Sequence, residues 1–233
     1  MTRSKLLGAI FALPLMIAGA SSAQANVIAL NLDASSSISG ADFLLQRQGY
    51  INALTNLLQP DGKNSIAVYQ FSNNVTQVFA MRTISTAQDK TDLITALTNF
   101  TRISGQTAIG SSVNTAVAAI TGFTNTCLVG APHCIIDVST DGMNNFGADL
   151  PSAITAANAA GIVVNCLGVG AGSGCLWNGT GLDWAAADFT QFNAAIHSKL
   201  SAELGVPEPM TVTLFGAGLA GAAFMRRRRA KKA

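Results

Sequence analysis

The chain has 233 residues, with 14 basic and 12 acidic side chains and a net charge of +2. Eight of the basic residues lie at positions 1–25 and 206–233, so positions 26–205 carry six basic and eleven acidic side chains, a net charge of −5. An acidic body without clustered Lys and Arg is unsuited to binding nucleic acid. The length of this body suffices for one domain with a full hydrophobic core.

Positions 1–25 have the composition of a secretory signal peptide. Two basic residues precede the apolar segment Leu6–Ala20, which is followed by Ala23-Gln24-Ala25, a small-x-small cleavage site. We therefore expect the mature protein to begin at Asn26. A retained membrane anchor is the alternative, and the shortness of the apolar segment argues against it.

Positions 206–233 form a second export feature. Val206-Pro207-Glu208-Pro209 is followed by the apolar segment Met210–Met225 and then by a tail of four arginines and two lysines. This order resembles the PEP-CTERM sorting signal of Gram-negative bacteria. The resemblance implies export through the inner membrane, a transient C-terminal membrane anchor, and cleavage near Pro-Glu-Pro by an exosortase-type membrane protease. The product would be held at the cell surface or secreted. A permanent transmembrane helix is the alternative, although sixteen residues at ~1.5 Å each fall short of a ~30 Å hydrocarbon core.

The four cysteines are an even number in a chain that is predicted to be exported, which favours disulfides over metal binding. We expect the pairs Cys127–Cys134 and Cys166–Cys175, because each closes a short loop beside a predicted strand. The other two connectivities stay open. A zinc site is disfavoured, because the chain has no C-x-x-C and only two histidines.

Apolar runs alternate with helical patterns along positions 26–205. In chain order, the sequence predicts a strand at 27–32, a helix at 42–58, a hairpin of strands 65–71 and 76–84, helices at 86–100 and 109–120, a strand at 133–138, a helix at 150–160, a strand at 162–169, a glycine-rich loop at 170–180 and a helix at 188–204. Such an alternation predicts an α/β fold with a mostly parallel central sheet and helices on both of its faces.

Three polar clusters follow predicted strands or enter a helix. They are Asp33-Ala34-Ser35-Ser36-Ser37 after the first strand, the loop Ser104–Gly110 before a helix, and Ser139-Thr140-Asp141-Gly142 after the fourth strand. Ligands bind at the carboxyl ends of strands in sheets of this kind. Carboxylate and hydroxyl oxygens are the hard ligands that Mg²⁺ prefers. The clusters therefore predict a cation site at this edge of the sheet.

Each cluster also has a purely structural explanation. Ser39, with Asp42 three residues later, suits a helix cap, which is compatible with a metal site upstream of it. Thr107 alone suits a helix cap equally well, and Asp141 alone, before a glycine, suits a turn. The three clusters together, in this order, favour the metal site.

The order D-x-S-x-S, Thr, Asp resembles that of the von Willebrand factor A domain and its metal-ion-dependent adhesion site. The resemblance covers residues 26–205 and implies a Rossmann-like fold. It also implies that Mg²⁺, or Mn²⁺, is held by five residues: Asp33, Ser35, Ser37, Thr107 and Asp141. In that family the hydroxyls bind the metal directly and the acids act directly or through water. The few negative charges leave the metal electrophilic, with one position open to a partner's carboxylate. Two stretches, Ile135–Asn145 and Ala195–Leu200, further resemble a bacterial subgroup of unknown function.

These features predict a metal-dependent binding or adhesion module for an unidentified protein or polysaccharide ligand, and not an enzyme. A metal-dependent envelope hydrolase is one alternative, and it is disfavoured because the sequence offers no plausible general base other than the site acids. A structural protein associated with exopolysaccharide or biofilm, with a vestigial metal site, is the other. Asp137, an acid inside an apolar strand, is expected to support the site or to pair with a buried donor.

Overall fold

The structure, a computed structural model, describes residues 26–124, 127, 133–170 and 181–206. Strands and helices alternate along most of this chain. The elements are β1 (Asn26–Asp33), α1 (Gly40–Leu57), β2 (Asn64–Phe71), β3 (Val75–Thr83), α2 (Ala87–Asn99), α3 (Ile109–Phe123), β4 (His133–Thr140), α4 (Leu150–Ala159), β5 (Val163–Val169), β6 (Asp183–Ala186) and α5 (Phe192–Glu203).

The six strands form one sheet in the order β3-β2-β1-β4-β5-β6. Every neighbouring pair is parallel except β2 and β3, which form the predicted antiparallel hairpin. β1 lies near the middle of the sheet, where Asn26 is opposite Asn64 on one side and His133 on the other. The predicted α/β fold with a mostly parallel sheet is therefore confirmed.

Helices cover both faces of the sheet, because β1 is apolar on both sides. Ile28, Leu30 and Leu32 pack into a core with α1, α2 and α5. Val27 and Ala29, which alternate with them, pack into a second core with α3 and α4. All eight residues of β1 are buried. This two-sided burial explains why the strand is a continuous apolar run rather than an alternating one.

The observed elements differ from the predicted ones most clearly in three places. β6 was not predicted, since four residues carry too little pattern for a periodicity argument. α5 begins at Phe192 instead of 188, because the Asp188 carboxylate accepts hydrogen bonds from the backbone N–H groups of Thr190 and Gln191 and forms a turn. α3 continues to Phe123, so Gly122 lies within its last turn instead of beyond it.

The cysteines follow the predicted pairing as far as the described residues extend. Cys127 and Cys134 form a disulfide with Cα atoms 5.4 Å apart. Cys166 is also disulfide-bonded, whereas its predicted partner Cys175 lies outside the described residues. The disulfide at Cys134 fixes the start of β4, a central strand of the sheet.

The first described residue, Asn26, contacts the end of α5 at the amino-terminal end of β1. The Asn26 side-chain amide donates a hydrogen bond of 3.0 Å to the Glu203 backbone carbonyl at the end of α5. In the described ranges, no helix is long and apolar enough to cross a membrane. The predicted anchor, Met210–Met225, lies outside those ranges.

Candidate metal centre

Asp33 ends β1 at its carboxyl end and is fully buried. One carboxylate oxygen accepts a hydrogen bond of 2.7 Å from the Ser35 backbone N–H, which closes a tight turn. The other accepts one of 2.6 Å from the hydroxyl of Thr140, the last residue of β4. The carboxyl ends of the two neighbouring strands therefore meet at this carboxylate.

The two serines of the first cluster lie beside the acid of the third cluster. The Ser35 and Ser37 hydroxyl oxygens are 3.0 Å apart. Ser37 also donates a hydrogen bond of 2.7 Å to the Asp141 carboxylate. Four of the five predicted residues are thus brought together, three through side-chain hydrogen bonds and Asp33 through the Ser35 backbone.

Thr107, the fifth residue, lies on the loop before α3. Its backbone N–H donates a hydrogen bond of 2.8 Å to the Asn145 side-chain oxygen. Its carbonyl accepts one of 2.9 Å from the Asn145 backbone N–H. A Cβ atom added at Gly142, next to Asp141, would lie 3.9 Å from the Thr107 hydroxyl. The two residues Ser37 and Thr107 line one cavity of about 430 Å³. The remaining lining residues are Ser36, Asn73, Gly105, Gln106, Gly142, Met143 and Asn145.

The structural alternatives are resolved in part. Ser39 caps α1 as expected, accepting a hydrogen bond of 3.1 Å from the Asp42 backbone N–H. Thr107 is not the capping residue of α3, because the position before that helix is Ala108, which has no side-chain cap. The Thr107 hydroxyl therefore does not cap α3, whereas the Thr107 backbone is held by Asn145.

Hydrogen bonds that the sequence did not predict hold the turn at Ser35–Ile38 in place. The Arg102 guanidinium donates hydrogen bonds to the carbonyls of Ser35, at 2.7 Å, and of Ile38. The Ser36 N–H donates to the Gly105 carbonyl at 2.8 Å. These contacts fix the first cluster against the loop that carries Thr107. No local pattern indicates them, because the partners are far apart in the sequence.

A polar connection beneath the site was also missed by the sequence analysis. The Gln46 side chain donates to the Asp33 carbonyl at 2.8 Å and accepts from the Ser139 hydroxyl at 3.0 Å. The Tyr50 hydroxyl lies 3.2 Å from Ser139 and donates to Asp137 at 3.0 Å. The expectation that Asp137 pairs with a buried donor is confirmed. Gln46 lies between the buried Phe43 and Tyr50 at helical spacing, which is the signal that would have identified it as buried.

The pKa of the Asp33 carboxyl is raised from 3.8 to about 6, chiefly by burial and to a smaller extent by the nearby negative charge of Asp141. Hydrogen bonds from Thr140 and Ser35 oppose this rise in pKa without cancelling it. The carboxylate is thus surrounded by neutral donors and a second acid, an arrangement that a cation would stabilise.

The donor set fits a small hard cation. Among the residues that the structure describes, no group of three or more His, Cys, Asp or Glu side chains is placed to hold a metal. The candidate centre instead combines two carboxylates with three hydroxyls, all of them oxygen donors of the kind that Mg²⁺ and Mn²⁺ accept. Bound there, such an ion would act as a Lewis acid that attracts an anionic oxygen from a ligand.

Solved structures with the same fold include proteins from animals and bacteria. The von Willebrand factor type A protein from Catenulispora acidiphila matches with a TM-score of 0.63 and 16% identity over 78% of this chain and 43% of that one. Proximal thread matrix protein 1 from the mussel byssus, in a form with a zinc-occupied MIDAS motif, matches with a TM-score of 0.61 and 20% identity over 78% of this chain and 48% of that one. BatB from Bacteroides thetaiotaomicron matches with a TM-score of 0.56 and 18% identity over 76% of this chain and 98% of that one.

The chain thus has the von Willebrand factor A fold and spans less than half of the first two proteins. No curated protein matches it. The PEP-CTERM protein-sorting motif matches residues 205–229, where the sequence analysis placed it. A family model described as "Protein of unknown function (DUF1194)" matches residues 24–208. The chain is therefore a member of the DUF1194 family that carries a PEP-CTERM sorting motif.

Proposed function

We propose that this chain is an exported binding module whose ligand is held by a divalent cation, Mg²⁺ or Mn²⁺. The observation that carries the proposal is the meeting of Asp33, Ser35, Ser37 and Asp141 within hydrogen-bond distance at the carboxyl ends of β1 and β4, beside the cavity lined by Thr107. Two carboxylates leave a bound divalent ion without excess negative charge. Such an ion attracts a carboxylate or another anionic oxygen of a protein or polysaccharide ligand.

Binding is proposed rather than hydrolysis because the carboxylates of both site acids already accept hydrogen bonds from the protein. A metal-dependent hydrolase needs a group free to take a proton from water near the metal. Asp33 is fully buried, and each of its carboxylate oxygens accepts a hydrogen bond from the protein. Asp141 is engaged by Ser37. Neither acid is placed as a free base, so the module is proposed not to be an enzyme.

A structural relative supports the metal proposal. The mussel byssus protein of the same fold is described with zinc in its MIDAS motif. The identity of 20% relates the two folds only. The proposal for this chain therefore depends on its own five residues. The competing proposal is a structural protein whose metal site is vestigial.

The metal proposal is tested by titrating the domain with Mg²⁺ and Mn²⁺ in a calorimeter. Wild type is expected to bind, and Ser37→Ala and Thr107→Ala are each expected to weaken binding about tenfold or more, which corresponds to ~1.4 kcal/mol. Ser36→Ala is the matched control. Its hydroxyl lies between the two candidate serines in sequence but is bonded to Ser104, at 3.1 Å.

Equal affinity in all three variants would refute the residue assignment. Absence of binding in wild type would favour the vestigial site. A pull-down from envelope extract in Mg²⁺, with a chelator as control, then tests for the ligand. A ligand retained equally well in chelator would contradict metal-dependent binding.

The sorting motif supports a proposed location and one partner. We propose that an exosortase-type membrane protease cuts near Val206–Pro209, as the match over residues 205–229 suggests. Intact-mass measurement on protein from the native host is expected to give a species that starts near Asn26 and lacks the arginine tail. A main surface species that keeps the tail would instead indicate a permanent anchor.

A further inference from the structure

Three charged side chains lie together in the interior of the domain, away from the candidate metal centre. Lys199 of α5 and Asp137 of β4 have no exposed side-chain surface, and the side chain of Glu203 is 1% exposed. The Lys199 amine nitrogen is 2.5 Å from Asp137 Oδ1 and 3.6 Å from Glu203 Oε1. The Trp184 ring, at 5.8 Å from the amine, covers the group.

An ordinary ion pair explains this group poorly. A buried ammonium ion needs acceptors for three N–H groups, and a buried carboxylate needs donors for both oxygens. Within the described residues, however, the Lys199 nitrogen, Asp137 Oδ2 and Glu203 Oε2 have no hydrogen-bond partner. The contact between Lys199 and Asp137 is short, but its direction is not that of a hydrogen bond. The acid form of Glu203 can donate to Asp137, but the unpartnered Lys199 nitrogen is costly in a low-dielectric interior.

We propose that Lys199 and Asp137 are joined by an isopeptide bond between the lysine Nζ and the aspartate Cγ. A nitrogen 2.5 Å from Oδ1 lies within about 3.7 Å of Cγ, because the carbon–oxygen bond is ~1.2 Å long. Reactive pairs in enzyme sites are held at about 3–3.5 Å. The side chains are thus placed for attack without a change in the positions of α5 and β4.

Glu203 is placed to move the protons that this condensation requires. Burial, followed by the negative charge of Asp137, raises the pKa of the Glu203 carboxyl well above its usual value, so it is held in the acid form. The ammonium of Lys199 first passes a proton to Asp137, which leaves a neutral amine beside a neutral carboxylic acid.

The bond-forming step consumes no other reactant. The lone pair of Nζ attacks Cγ while the neutral Glu203 carboxyl relays a proton: its carbonyl oxygen accepts one from the nitrogen as its hydroxyl donates one to the departing hydroxyl. One N–C bond forms, one C–O bond breaks, and one molecule of water leaves. Glu203 ends in the acid form in which it began.

The amide suits its surroundings better than the ions do. Its carbonyl oxygen can accept the hydrogen bond that the Tyr50 hydroxyl already directs at Asp137 Oδ1, at 3.0 Å. Its nitrogen lies 3.6 Å from Glu203 Oε1, which also accepts a hydrogen bond of 2.8 Å from the Asn165 side-chain amide. The oxygen lost as water corresponds to Asp137 Oδ2, which has no partner among the described residues. Condensation therefore removes both ionisable groups of the pair, together with the Asp137 Oδ2 atom.

The test is a mass measurement on the protein purified from its host. Wild type is expected to be lighter by one molecule of water than its disulfide-bonded sequence. Cyanogen bromide cleaves after Met81 and Met143, which separates Asp137 from Lys199. After reduction of the disulfides, the fragment 82–143 and the fragment that begins at position 144 are expected to remain joined. Full sequence mass together with separated fragments would overturn the proposal.

Two variants assign the roles. Lys199→Gln removes the nucleophile without adding a cyanogen bromide site, so its fragments should separate. Glu203→Gln keeps the shape of the side chain but removes its acidic proton, and is expected to give the full mass with separated fragments. A joined species in Glu203→Gln would refute the role of Glu203. The wild-type mass decides the bond itself even where a variant does not fold.

Discussion

Replacing Asp33 by asparagine is expected to abolish Mg²⁺ binding and to stabilise the metal-free domain by up to about 3 kcal/mol at pH 7. The gain follows from the rise in the pKa of Asp33 from 3.8 to about 6 on folding, at ~1.4 kcal/mol for each pH unit. The asparagine oxygen can still accept from the Ser35 N–H, and its amide can donate to the Thr140 hydroxyl. Without a cation, the charge of Asp33 is a cost that asparagine removes.

The pH dependence of this effect has a defined sign. The folded-state pKa of Asp33 is raised, so its favourable contribution to stability is complete below about pH 4 and is lost as the pH rises through 6. At pH 3 the acid is largely neutral in both the folded and the unfolded chain, and Asp33→Asn should nearly equal wild type in stability. The advantage of the variant should then grow between pH 3 and pH 7.

Urea unfolding in chelator at pH 3 and pH 7, together with calorimetry in Mg²⁺, measures both effects. Saturating Mg²⁺ is expected to stabilise wild type and to leave the variant unchanged, since only a native state that binds the ion gains free energy. A variant less stable than wild type at pH 7 in chelator would show that the charged form of Asp33 is favoured in the fold. Retained Mg²⁺ binding would remove Asp33 from the site.

Gly110→Ala is expected to weaken metal binding about tenfold or more and to destabilise the domain by about 1–3 kcal/mol, the usual cost of overpacking. Gly110 lies in the first turn of α3, and an added Cβ would be 2.2 Å from the Ala148 carbonyl oxygen and 3.1 Å from the Asp149 carbonyl carbon. These are backbone atoms that cannot rotate away. The segment must move, and with it Asn145, which holds Thr107 at the cavity.

Gly122→Ala is the matched control, because it makes the same substitution at the other end of α3. A Cβ at Gly122 has no neighbour within 4 Å. Its higher helix propensity should stabilise the domain by about 0.5–1 kcal/mol, with unchanged metal affinity. Comparison of the two variants by urea unfolding and calorimetry separates the contact from the propensity. Equal behaviour of Gly110→Ala and Gly122→Ala would refute the packing argument.

Most of the sheet was predictable from the sequence, because buried parallel strands leave continuous apolar runs such as Val27–Leu32 and Ile162–Val169. The positions of the polar clusters were predictable as well, because parallel strands place their carboxyl ends at one edge of the sheet. β6 was not predictable in this way. It has four residues, and two of them are exposed.

The contacts that hold the site could not be predicted from local patterns. Arg102 bonds to a turn 64 to 67 residues earlier in the chain, and Asn145 to a loop 38 residues earlier. Such partners are set by how the helices pack and not by the neighbouring residues. Lys199 has a partial signal, because it lies between the buried Ile196 and Leu200 on the inner face of α5. A lysine on that face indicates a buried partner without identifying Asp137.

The position of α5 at the end of the described chain determines how the domain would respond to a pulling force. A tether attached beyond Val206 pulls first on α5, and the residues that follow Lys199 are the first to detach. The force then reaches β4, between β1 and β5, through the contact of Lys199 with Asp137. Because β1 runs from Asn26 to Asp33, about 23 Å at ~3.3 Å per residue, the candidate metal centre lies at the far end from that tether. With the proposed bond in place, a ligand pulled at the centre would strain the central strands before it could unravel the last helix.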